Sequence, residues 1–489
     1  MTIRNTIRFL LNDQEVELGD VAPSDTLLDH LRLRARLMGT KEGCAEGDCG
    51  ACTVLVGSLR DESLRYEPVN ACIRFLASLD RCHVVTIEHL APPGGPLHPV
   101  QTAMVEEHGS QCGFCTPGIV MALWALWARR PEPDDEEIET ALQGSLCRCT
   151  GYAPILRAAK KAARIGHPDA DRLVARTAET AARLSNLAPA ERVETSRNGA
   201  RAILPASVDD LADAFLKEPT ATLIAGATDV GLWVTKEMRS IAPAIFVGHL
   251  DALKGIETTA DEIVIGAGVS YADFETLIER ELPHLSAFWR RIGGPQVRAM
   301  GTVGGNIANG SPIGDTPPVL IALGARLGLR RGSTHREIML EDYFLDYGQQ
   351  NREPGEFVER IVVPRPPQGS LNAAYKISKR RDEDISGLAA GFRVIRDPAG
   401  KITMARLAFG GMAAAPKRAS GAEAALLGRT WDAKAVAAAQ AALLDDFAPI
   451  TDWRATAEYR MLAARNLLRR FFLETSDQTS PVQLSREVA

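Results

Sequence analysis

The stretch GCAEGDCGACTV, residues 43–54, decides how the first part of this chain folds. It places Cys44, Cys49 and Cys52 in a C-x₄-C-x₂-C spacing, and Cys72 follows at a distance. This is the arrangement of a plant-type [2Fe–2S] site. The glycines between the thiols let the backbone wrap closely and turn N–H groups toward the sulfurs. Structural zinc sites use symmetrical pairs of C-x₂₋₄-C turns instead. The spacing therefore predicts an iron–sulfur cluster.

A second group of thiols follows in QCGFCTPG and LCRCTGY, which contribute Cys112, Cys115, Cys147 and Cys149. The pair at 112–115 comes directly before the apolar run GIVMALWALWARR, residues 118–130. This run predicts a buried helix whose N-terminal dipole faces the thiols and stabilises anionic sulfur. The spacing of this group alone leaves zinc as an alternative to a cluster.

All nine cysteines lie between Cys44 and Cys149 of the 489 residues, and the ninth, Cys82, is interpreted as a small buried apolar residue. The net charge of −6 gives no electrostatic argument for nucleic acid or an anionic membrane. No apolar run is long enough to span a bilayer, and the first residues lack the regions of a signal peptide. We expect a cytoplasmic protein, where thiols stay reduced unless they bind metal or react.

Local patterns predict the surrounding elements. Residues 6–18 alternate as a hairpin around Asn12 and Asp13, and Ser24 is expected to cap a short helix. Residues 166–201 lack a long apolar run and are interpreted as a connector. Strands are predicted at 222–224 and 262–265, and from about Asn372 strands precede Ala-rich helices.

The three cysteine motifs, in this order, resemble those of the molybdenum hydroxylase (xanthine oxidase) family. The resemblance implies that Cys112, Cys115, Cys147 and Cys149 also ligate a [2Fe–2S] cluster. It continues through LIAGATDVG (223–231), GTVGGNIANGSPIGDTPP (301–318) and KISKRRDEDIS (376–386), and covers about 7–464. The family's flavin domain is expected to contain the first two of these segments.

The fold that this resemblance implies is α+β and multidomain. Its expected parts are a β-grasp plant-type ferredoxin domain (1–90), a four-helix [2Fe–2S] bundle (91–165), a connector (166–200), a mixed α/β FAD-binding domain of the vanillyl-alcohol-oxidase/PCMH type (201–368), a C-terminal α+β flavoprotein subdomain (369–475) and a tail (476–489).

Small residues after an apolar strand allow backbone N–H groups to approach a pyrophosphate, and both flavin segments have this character. Neither is a G-x-G-x-x-G motif that opens a helix, so a Rossmann site is not indicated, and GAG at 266–268 is interpreted as a turn. Carried over by position, the FAD contacts are expected to be Ala225, Gly226, Ala227, Thr228, Asp229, Val230, Thr302, Gly304, Gly305, Asn306, Asp315, Val358 and Lys376.

Alternatives remain for several of these residues. Asp315 is expected to order a ribose or its own loop, or else to form an Asx turn. Lys376 either places positive charge near the flavin or is a solvated lysine at a strand end. Ile292 occupies a position where eukaryotic relatives have Phe, so aromatic stacking is not expected there. The charged run 379–384 either biases the choice of electron acceptor or is a solvated loop.

The family implies an electron relay. A purine is expected to be oxidised at a molybdenum centre on a large partner subunit, and electrons pass through the Cys112 cluster and the Cys44 cluster to FAD and on to NAD⁺. Gln111 and Cys149 are expected to face the pterin of the partner's cofactor, within a heterodimer that doubles to a heterotetramer. The residues outside the motifs are too few for molybdenum domains. The alternatives are a similar subunit of an aldehyde or N-heterocycle hydroxylase, and a non-catalytic cluster-binding or zinc-binding assembly protein.

Overall fold

The computed structural model describes residues 3–61, 63–91, 94–187 and 191–476, so the predicted tail lies almost entirely outside the described residues. The chain forms two compact units. The first unit contains the residues up to Ala252 together with Ser270–Asp273 and Gly293–Thr302. The second unit contains Leu253–Val269, Phe274–Ile292 and the chain from Val303 onward.

The first sheet has five strands, which in spatial order are Gln14–Leu18 (β3), Ile7–Leu11 (β2), His83–Val85 (β6), Thr53–Arg60 (β4) and Ser63–Asn70 (β5). The predicted hairpin is confirmed, with Asn12 at its turn in the left-handed region (φ 57°). The expected cap Ser24 is wrong, because the helix begins later and the hydroxyl of Thr26 accepts from the N–H of Asp29 at 3.1 Å. The elements are β1 (Ile3–Arg4), β2 (Ile7–Leu11), β3 (Gln14–Leu18), α1 (Leu27–Asp29) with a π-helical continuation (His30–Arg34), β4 (Thr53–Arg60), β5 (Ser63–Asn70), a 3₁₀ turn (Leu76–Leu79), β6 (His83–Val85) and α2 (Ile87–Leu90).

Four helices follow, packed around the apolar run that the sequence predicts as a buried helix. Trp124 and Trp127 on that helix are 2% and 3% exposed, which confirms the prediction. Since this helix is apolar on nearly every side, neighbouring helices and the first sheet cover it. The helices are α3 (Pro99–Glu106), α4 (Thr116–Arg129), α5 (Asp135–Ala141) and α6 (Ala153–Ile165).

A second sheet, in the order β1-β7-β8-β10-β9, begins in the stretch predicted as a connector. Strand β7 was not evident from the sequence because RVETSR contains only one apolar residue. The N-terminal strand β1 pairs in parallel with β7, with Ile3 opposite Arg192. The elements are a 3₁₀ turn (Pro168–Ala170), α7 (Arg172–Ala175), α8 (Thr177–Leu187), β7 (Arg192–Arg197), β8 (Ala200–Leu204), α9 (Val208–Lys217), β9 (Thr222–Ile224), α10 (Val230–Thr235) and β10 (Ala244–Phe246).

The next stretch forms an antiparallel sheet in the order β11-β12-β17-β13-β14 within the second unit. The helix α13 of this stretch belongs to the first unit. The elements are two 3₁₀ turns (Asp251–Leu253, Pro283–Leu285), β11 (Ile256–Thr258), β12 (Glu262–Gly266), α11 (Tyr271–Glu281), α12 (Ser286–Trp289), α13 (Pro295–Met300), α14 (Val303–Asn309), α15 (Thr316–Ala322), β13 (Arg326–Arg331), β14 (Thr334–Met339), a 3₁₀ turn (Leu340–Tyr343), β15 (Phe344–Asp346), β16 (Gln349–Gln350) and β17 (Phe357–Pro364).

The C-terminal part has the predicted order of strands followed by Ala-rich helices. An antiparallel sheet, β18-β19-β20-β21, packs its apolar face on the helices, and Phe392, Phe409 and Phe471 lie at the centre of that core. The elements are β18 (Leu371–Ile377), β19 (Leu388–Arg396), β20 (Ile402–Gly410), β21 (Lys417–Arg418), α16 (Ser420–Leu426), α17 (Ala433–Asp446) and α18 (Ala457–Thr475). Among the described residues, no helix combines the length and apolar character needed to cross a membrane.

The histidine of β6 makes the stability of the first sheet depend on pH. His83 is 3% exposed, its Nε2–H donates to the carbonyl of Asn12 at 2.6 Å, and its Nδ1 accepts from the Tyr66 hydroxyl at 2.7 Å. Burial lowers the pKa of His83 to about 4. The pKa of the unfolded residue is near 6.5. Above pH 6.5 the neutral ring therefore contributes about 3 kcal/mol to the free energy of unfolding, and this contribution is lost as the pH falls toward 4.

We expect His83→Gln to remove this dependence, because glutamine carries no titrating proton in that range. The measurement is the difference in unfolding free energy between the variant and the parent at pH 7.5, 6 and 5, in which the carboxylates common to both cancel. An identical pH slope in both proteins would contradict the assignment.

Candidate redox centres and flavin segments

The first thiol group gathers all four cysteines that the first motif predicts. The side chains of Cys44 and Cys49 hydrogen bond to each other, as do those of Cys44 and Cys72 and of Cys52 and Cys72. Cys52 and Cys72 are 2% and 3% exposed, whereas the other two are half-buried. Residues that are distant in sequence thus meet because Cys52 directly precedes β4, and its partner strand β5 ends two residues before Cys72.

Backbone N–H groups point at these sulfurs, as a cluster loop requires. The N–H groups of Glu46 and Cys49 each lie 3.4 Å from Sγ of Cys44, and the N–H of Cys72 lies 3.5 Å from Sγ of Cys52. The hydrogen bond from the Cys49 thiol is the largest contribution that lowers the pKa of Cys44, and the same bond raises the pKa of Cys49. N–H groups aimed at sulfur stabilise the thiolate, which is the form that binds iron.

Two glycines of this loop are required by its geometry. Gly47 and Gly50 have φ angles of 79° and 69°, which only glycine adopts without strain. A Cβ atom at Gly50 would also lie 2.1 Å from the carbonyl oxygen of Gly144, so the backbones are in direct contact. The prediction that the glycines serve close wrapping is consistent with both observations.

The second thiol group also comes together, but nearer to the surface. Cys112 pairs with Cys149, and both are exposed; Cys115 pairs with Cys147, which is buried. The N–H of Phe114 is the main cause of the lowered pKa of Cys112. Burial opposes ionisation of Cys147, yet the hydroxyl of Thr150, 3.2 Å from its sulfur, and nearby N–H groups leave its pKa lowered. Helix α4 begins directly after Cys115, as expected.

These two groups fit [2Fe–2S] clusters by the chemistry of their donors. Each supplies four thiols in contacting pairs, and each iron of such a cluster takes two thiolates. Among the described residues, no three His, Cys, Asp or Glu side chains are arranged around a single ion position.

The two cluster loops touch one another, which no sequence signal predicted. The N–H of Leu146 donates to the carbonyl oxygen of Cys49 at 2.9 Å. A Cβ at Gly118, on the first turn of α4, would lie 2.1 Å from the carbonyl oxygen of Gly50. One backbone hydrogen bond therefore links a residue of the first group to the neighbour of Cys147 in the second.

The first flavin segment leaves β9 as a loop of small residues and enters α10. Ala227 has a φ of 62°, and its carbonyl accepts from the N–H of Gly231 at 2.7 Å. A Cβ at Gly226 would lie 1.8 Å from the carbonyl oxygen of Met300, so the loop lies directly on the end of α13. Thr302, a residue predicted to contact FAD, is buried shortly after that helix.

This segment also contacts the first cluster loop within the same unit. A Cβ at Gly231 would lie 2.7 Å from Cβ of Ile73, the residue that follows Cys72. Lys236, at the end of α10, donates from Nζ to the carbonyl of Cys44 and lies 3.5 Å from the carboxylate of Glu46. The predicted flavin loop and the first thiol group are therefore neighbours.

The second flavin segment, whose residues from Val303 onward belong to the second unit, has the same small-residue character. A Cβ at Gly304 would lie 2.4 Å from Cβ of Ala267, which explains why glycine occupies this position. The buried Oδ1 atom of Asn306 has no hydrogen-bond partner among the described residues. Since a buried acceptor without a donor is costly, a bound FAD that supplies a hydroxyl or N–H group fits this position.

Asp315 and Lys376 pair with each other. The ammonium group of Lys376 donates to Asp315 at 2.7 Å and to the carbonyl of Arg291 at 3.0 Å, and the Ser386 hydroxyl donates to the same carboxylate. The Lys376 side chain is 2% exposed, so the alternative of a solvated lysine is wrong. Asp315 connects its own loop to β18 of the C-terminal sheet, which the sequence did not indicate.

The remaining predicted residues have these positions. Gln111 is exposed beside Cys112, and Val358 is buried on β17. Cys82 is 7% exposed in the core of the first sheet, as expected for a small apolar residue. Ile292 is 8% exposed.

Family models match nearly all of this architecture. The "2Fe-2S iron-sulfur cluster binding domain" matches residues 9–76 and the "[2Fe-2S] binding domain" matches 86–160. The "FAD binding domain in molybdopterin dehydrogenase" matches 197–366, and the "CO dehydrogenase flavoprotein C-terminal domain" matches 373–475. Both cysteine groups thus lie in [2Fe–2S] domains, and a flavin domain follows.

Curated relatives extend along most of the chain. Xanthine dehydrogenase of Emericella nidulans is 31% identical over 91% of this chain, and aldehyde oxidase 2 of Macaca fascicularis is 30% identical over 95%. The chain spans 36% and 39% of the length of these two relatives.

A solved structure matches about half of the chain. CO dehydrogenase from Oligotropha carboxidovorans is 30% identical with a TM-score of 0.51, and the match covers 55% of this chain and 94% of that one. The chain belongs to the molybdenum hydroxylase family. It is the iron–sulfur and FAD electron-transfer region of such an oxidoreductase, comparable to those of xanthine dehydrogenase and CO dehydrogenase.

Proposed function

We propose that this chain is the electron-transfer subunit of a xanthine dehydrogenase. A molybdenum centre on a separate large subunit oxidises hypoxanthine or xanthine, and two [2Fe–2S] clusters and FAD convey the electrons to NAD⁺. A flavin suits the end of this relay because it exchanges single electrons with clusters and a hydride with a nicotinamide. The substrate class rests on the similarity to xanthine dehydrogenase over 91% of the chain.

The observation that carries the proposal is the sequence of contacts in the first unit. The exposed pair Cys112 and Cys149 suits entry of electrons from a partner. The bond from Leu146 to Cys49 then leads to the first thiol group, and Gly231 packs on Ile73 beside Cys72. This order, from an exposed centre through a buried one to the flavin loop, supports the direction of transfer.

The residues proposed to hold the cofactors are those predicted from the sequence. Cys44, Cys49, Cys52 and Cys72 would ligate one cluster, and Cys112, Cys115, Cys147 and Cys149 the other. Each flavin segment contains small residues of the kind that let backbone N–H groups approach FAD phosphates. Gln111 and Cys149, which are both exposed, would face the partner's pterin, in a heterodimer that doubles to a heterotetramer.

A second candidate keeps this architecture and changes the substrate. The similarity to aldehyde oxidase 2 over 95% of the chain, and to CO dehydrogenase over 55% of it, favours another molybdenum hydroxylase as the alternative. The alternatives differ in the partner subunit and not in the residues described above.

The test begins with the cofactor content of this chain expressed alone. We expect about four irons, about four acid-labile sulfides and one FAD per chain, without molybdenum. Anaerobic NADH is then expected to bleach the flavin and cluster absorbance, whereas purines leave it unchanged until the large subunit is added. Zinc in place of iron, or absence of flavin, would refute the relay. Bleaching by purine without the partner would refute the division of labour.

A further inference from the structure

A glutamine on α13 reaches both cluster modules. Gln296 is 0% exposed, and its Nε2 lies 3.1 Å from Oγ1 of Thr53 and 3.3 Å from Oγ of Ser145. Thr53 follows Cys52 directly, and Ser145 lies two residues before Cys147. A single amide group therefore contacts the backbone neighbours of a ligand candidate in each thiol group.

The hydrogen-bond network fixes which way this amide points. The Thr53 hydroxyl donates to the carbonyl oxygen of Gly50 at 2.7 Å, so its oxygen must accept from Gln296. The nitrogen of the Gln296 amide thus faces the two hydroxyls. Its Oε1 is buried and has no hydrogen-bond partner among the described residues.

That unpaired oxygen indicates why a glutamine stands here. A buried acceptor without a donor is unfavourable. A methionine of similar length would fill the same space without such an acceptor. The two N–H donors of the Gln296 amide offset this cost, because they form hydrogen bonds to both Thr53 and Ser145. These are the same two loops that the Leu146 to Cys49 bond joins at 2.9 Å.

The helix that carries Gln296 is itself held at both ends. Arg298, 3% exposed, donates to the side chain of Gln143 at 3.1 Å and to the carbonyl of Gly293 at 2.6 Å. The carbonyl of Met300 lies against Gly226 of the first flavin segment. A displacement of either cluster loop would therefore be resisted by the element that supports the flavin loop.

We propose that Gln296 is a positioning residue for electron transfer between the two clusters. It holds the loops that carry Cys52 and Cys147 at a fixed separation by donating to both Thr53 and Ser145. This inference rests on the proposed function, since it concerns the step between the two cluster sites.

The test is Gln296→Met in the full chain loaded with iron and FAD. Iron and flavin contents are expected to stay unchanged, since no ligand is removed. The magnetic coupling between the two reduced clusters, measured from the splitting of their electron paramagnetic resonance lines, is expected to fall, because dipolar coupling decreases with the cube of the separation. Hydrogen exchange of the peptide that contains Leu146 is expected to rise about tenfold. Val297→Ala, on the same helix, is the control and should change neither signal.

The variant Ser145→Ala tests whether Gln296 acts through its hydrogen bond to Ser145 or through the general stability of the first unit. If both variants act through the same bond, Gln296→Met combined with Ser145→Ala is expected to shift the coupling less than the sum of the single shifts. Unchanged coupling and exchange in Gln296→Met would overturn the inference and leave the proposed function standing. A uniform rise of exchange across the first unit would also overturn it, since it indicates a merely structural role. A parent chain that takes up no iron refutes the proposed function itself.

Discussion

Replacing Cys72 by alanine is expected to remove one [2Fe–2S] cluster and leave the other in place. Iron should fall from about four to about two atoms per chain. The physical reason is that the Cys72 thiol contacts both Cys44 and Cys52, and alanine supplies no sulfur ligand in its place. The position is 3% exposed, which separates it from bulk solvent. The second thiol group draws its four cysteines from another part of the chain, so its cluster should persist. Iron analysis and electron paramagnetic resonance of the reduced protein measure the effect.

The chain contains a matched control for this experiment. Cys82 lies in the same core at 7% exposure but outside the thiol group, so Cys82→Ala is expected to keep all the iron. Both substitutions remove one buried sulfur, which makes their packing costs comparable. Equal iron loss in the two variants would indicate that the module unfolds, and would contradict the assignment of Cys72 as a ligand.

Gly226→Ala is expected to weaken FAD binding by at least about tenfold, which corresponds to about 1.4 kcal/mol and lies within the usual cost of overpacking. The added Cβ would lie 1.8 Å from the carbonyl oxygen of Met300, so the backbone of the loop or of α13 must move. Because this oxygen belongs to the backbone, no rotamer change relieves the contact. Flavin per chain after gel filtration, and FAD titration by fluorescence quenching, give the measurement.

Gly255→Ala serves as the control for this substitution. Apart from the adjacent residues, no atom of the described part of the chain lies within 4 Å of the Cβ position at Gly255, so the added methyl group meets open space and FAD binding should be unchanged. Iron is expected to be retained in both variants. Full flavin occupancy in Gly226→Ala would show that this loop does not support the flavin, and simultaneous loss of iron would show general unfolding instead.

Local chemistry explains why much of the candidate site was visible in the sequence. A cluster needs four thiols at set spacings and glycines where the chain turns sharply, and both requirements leave a mark that short motifs reveal. Gly50 is an example, because its φ of 69° and its contact with Gly144 each exclude a side chain. The buried helix α4 was equally predictable, since an apolar run with two tryptophans leaves the helix without a polar face for solvent.

Pairings between distant segments left no such mark. Lys376 was interpreted as either a flavin neighbour or a solvated lysine, and it is buried in an ion pair with Asp315, 61 residues away. Likewise β1 and β7 join one sheet, although Arg192 lies 189 residues (192 − 3) after its partner Ile3. Ion pairs and strand pairing depend on what the fold brings near, which residue types alone do not encode.

The sequence by itself determined the redox chemistry of this protein, because thiol spacing and small-residue loops are local requirements of clusters and flavins. The tertiary structure decided how the cluster loops of the first unit meet. The bond from Leu146 to Cys49 and the amide of Gln296 between Thr53 and Ser145 join segments far apart in the chain. Their partners are set by packing in three dimensions, so only the folded chain reveals them.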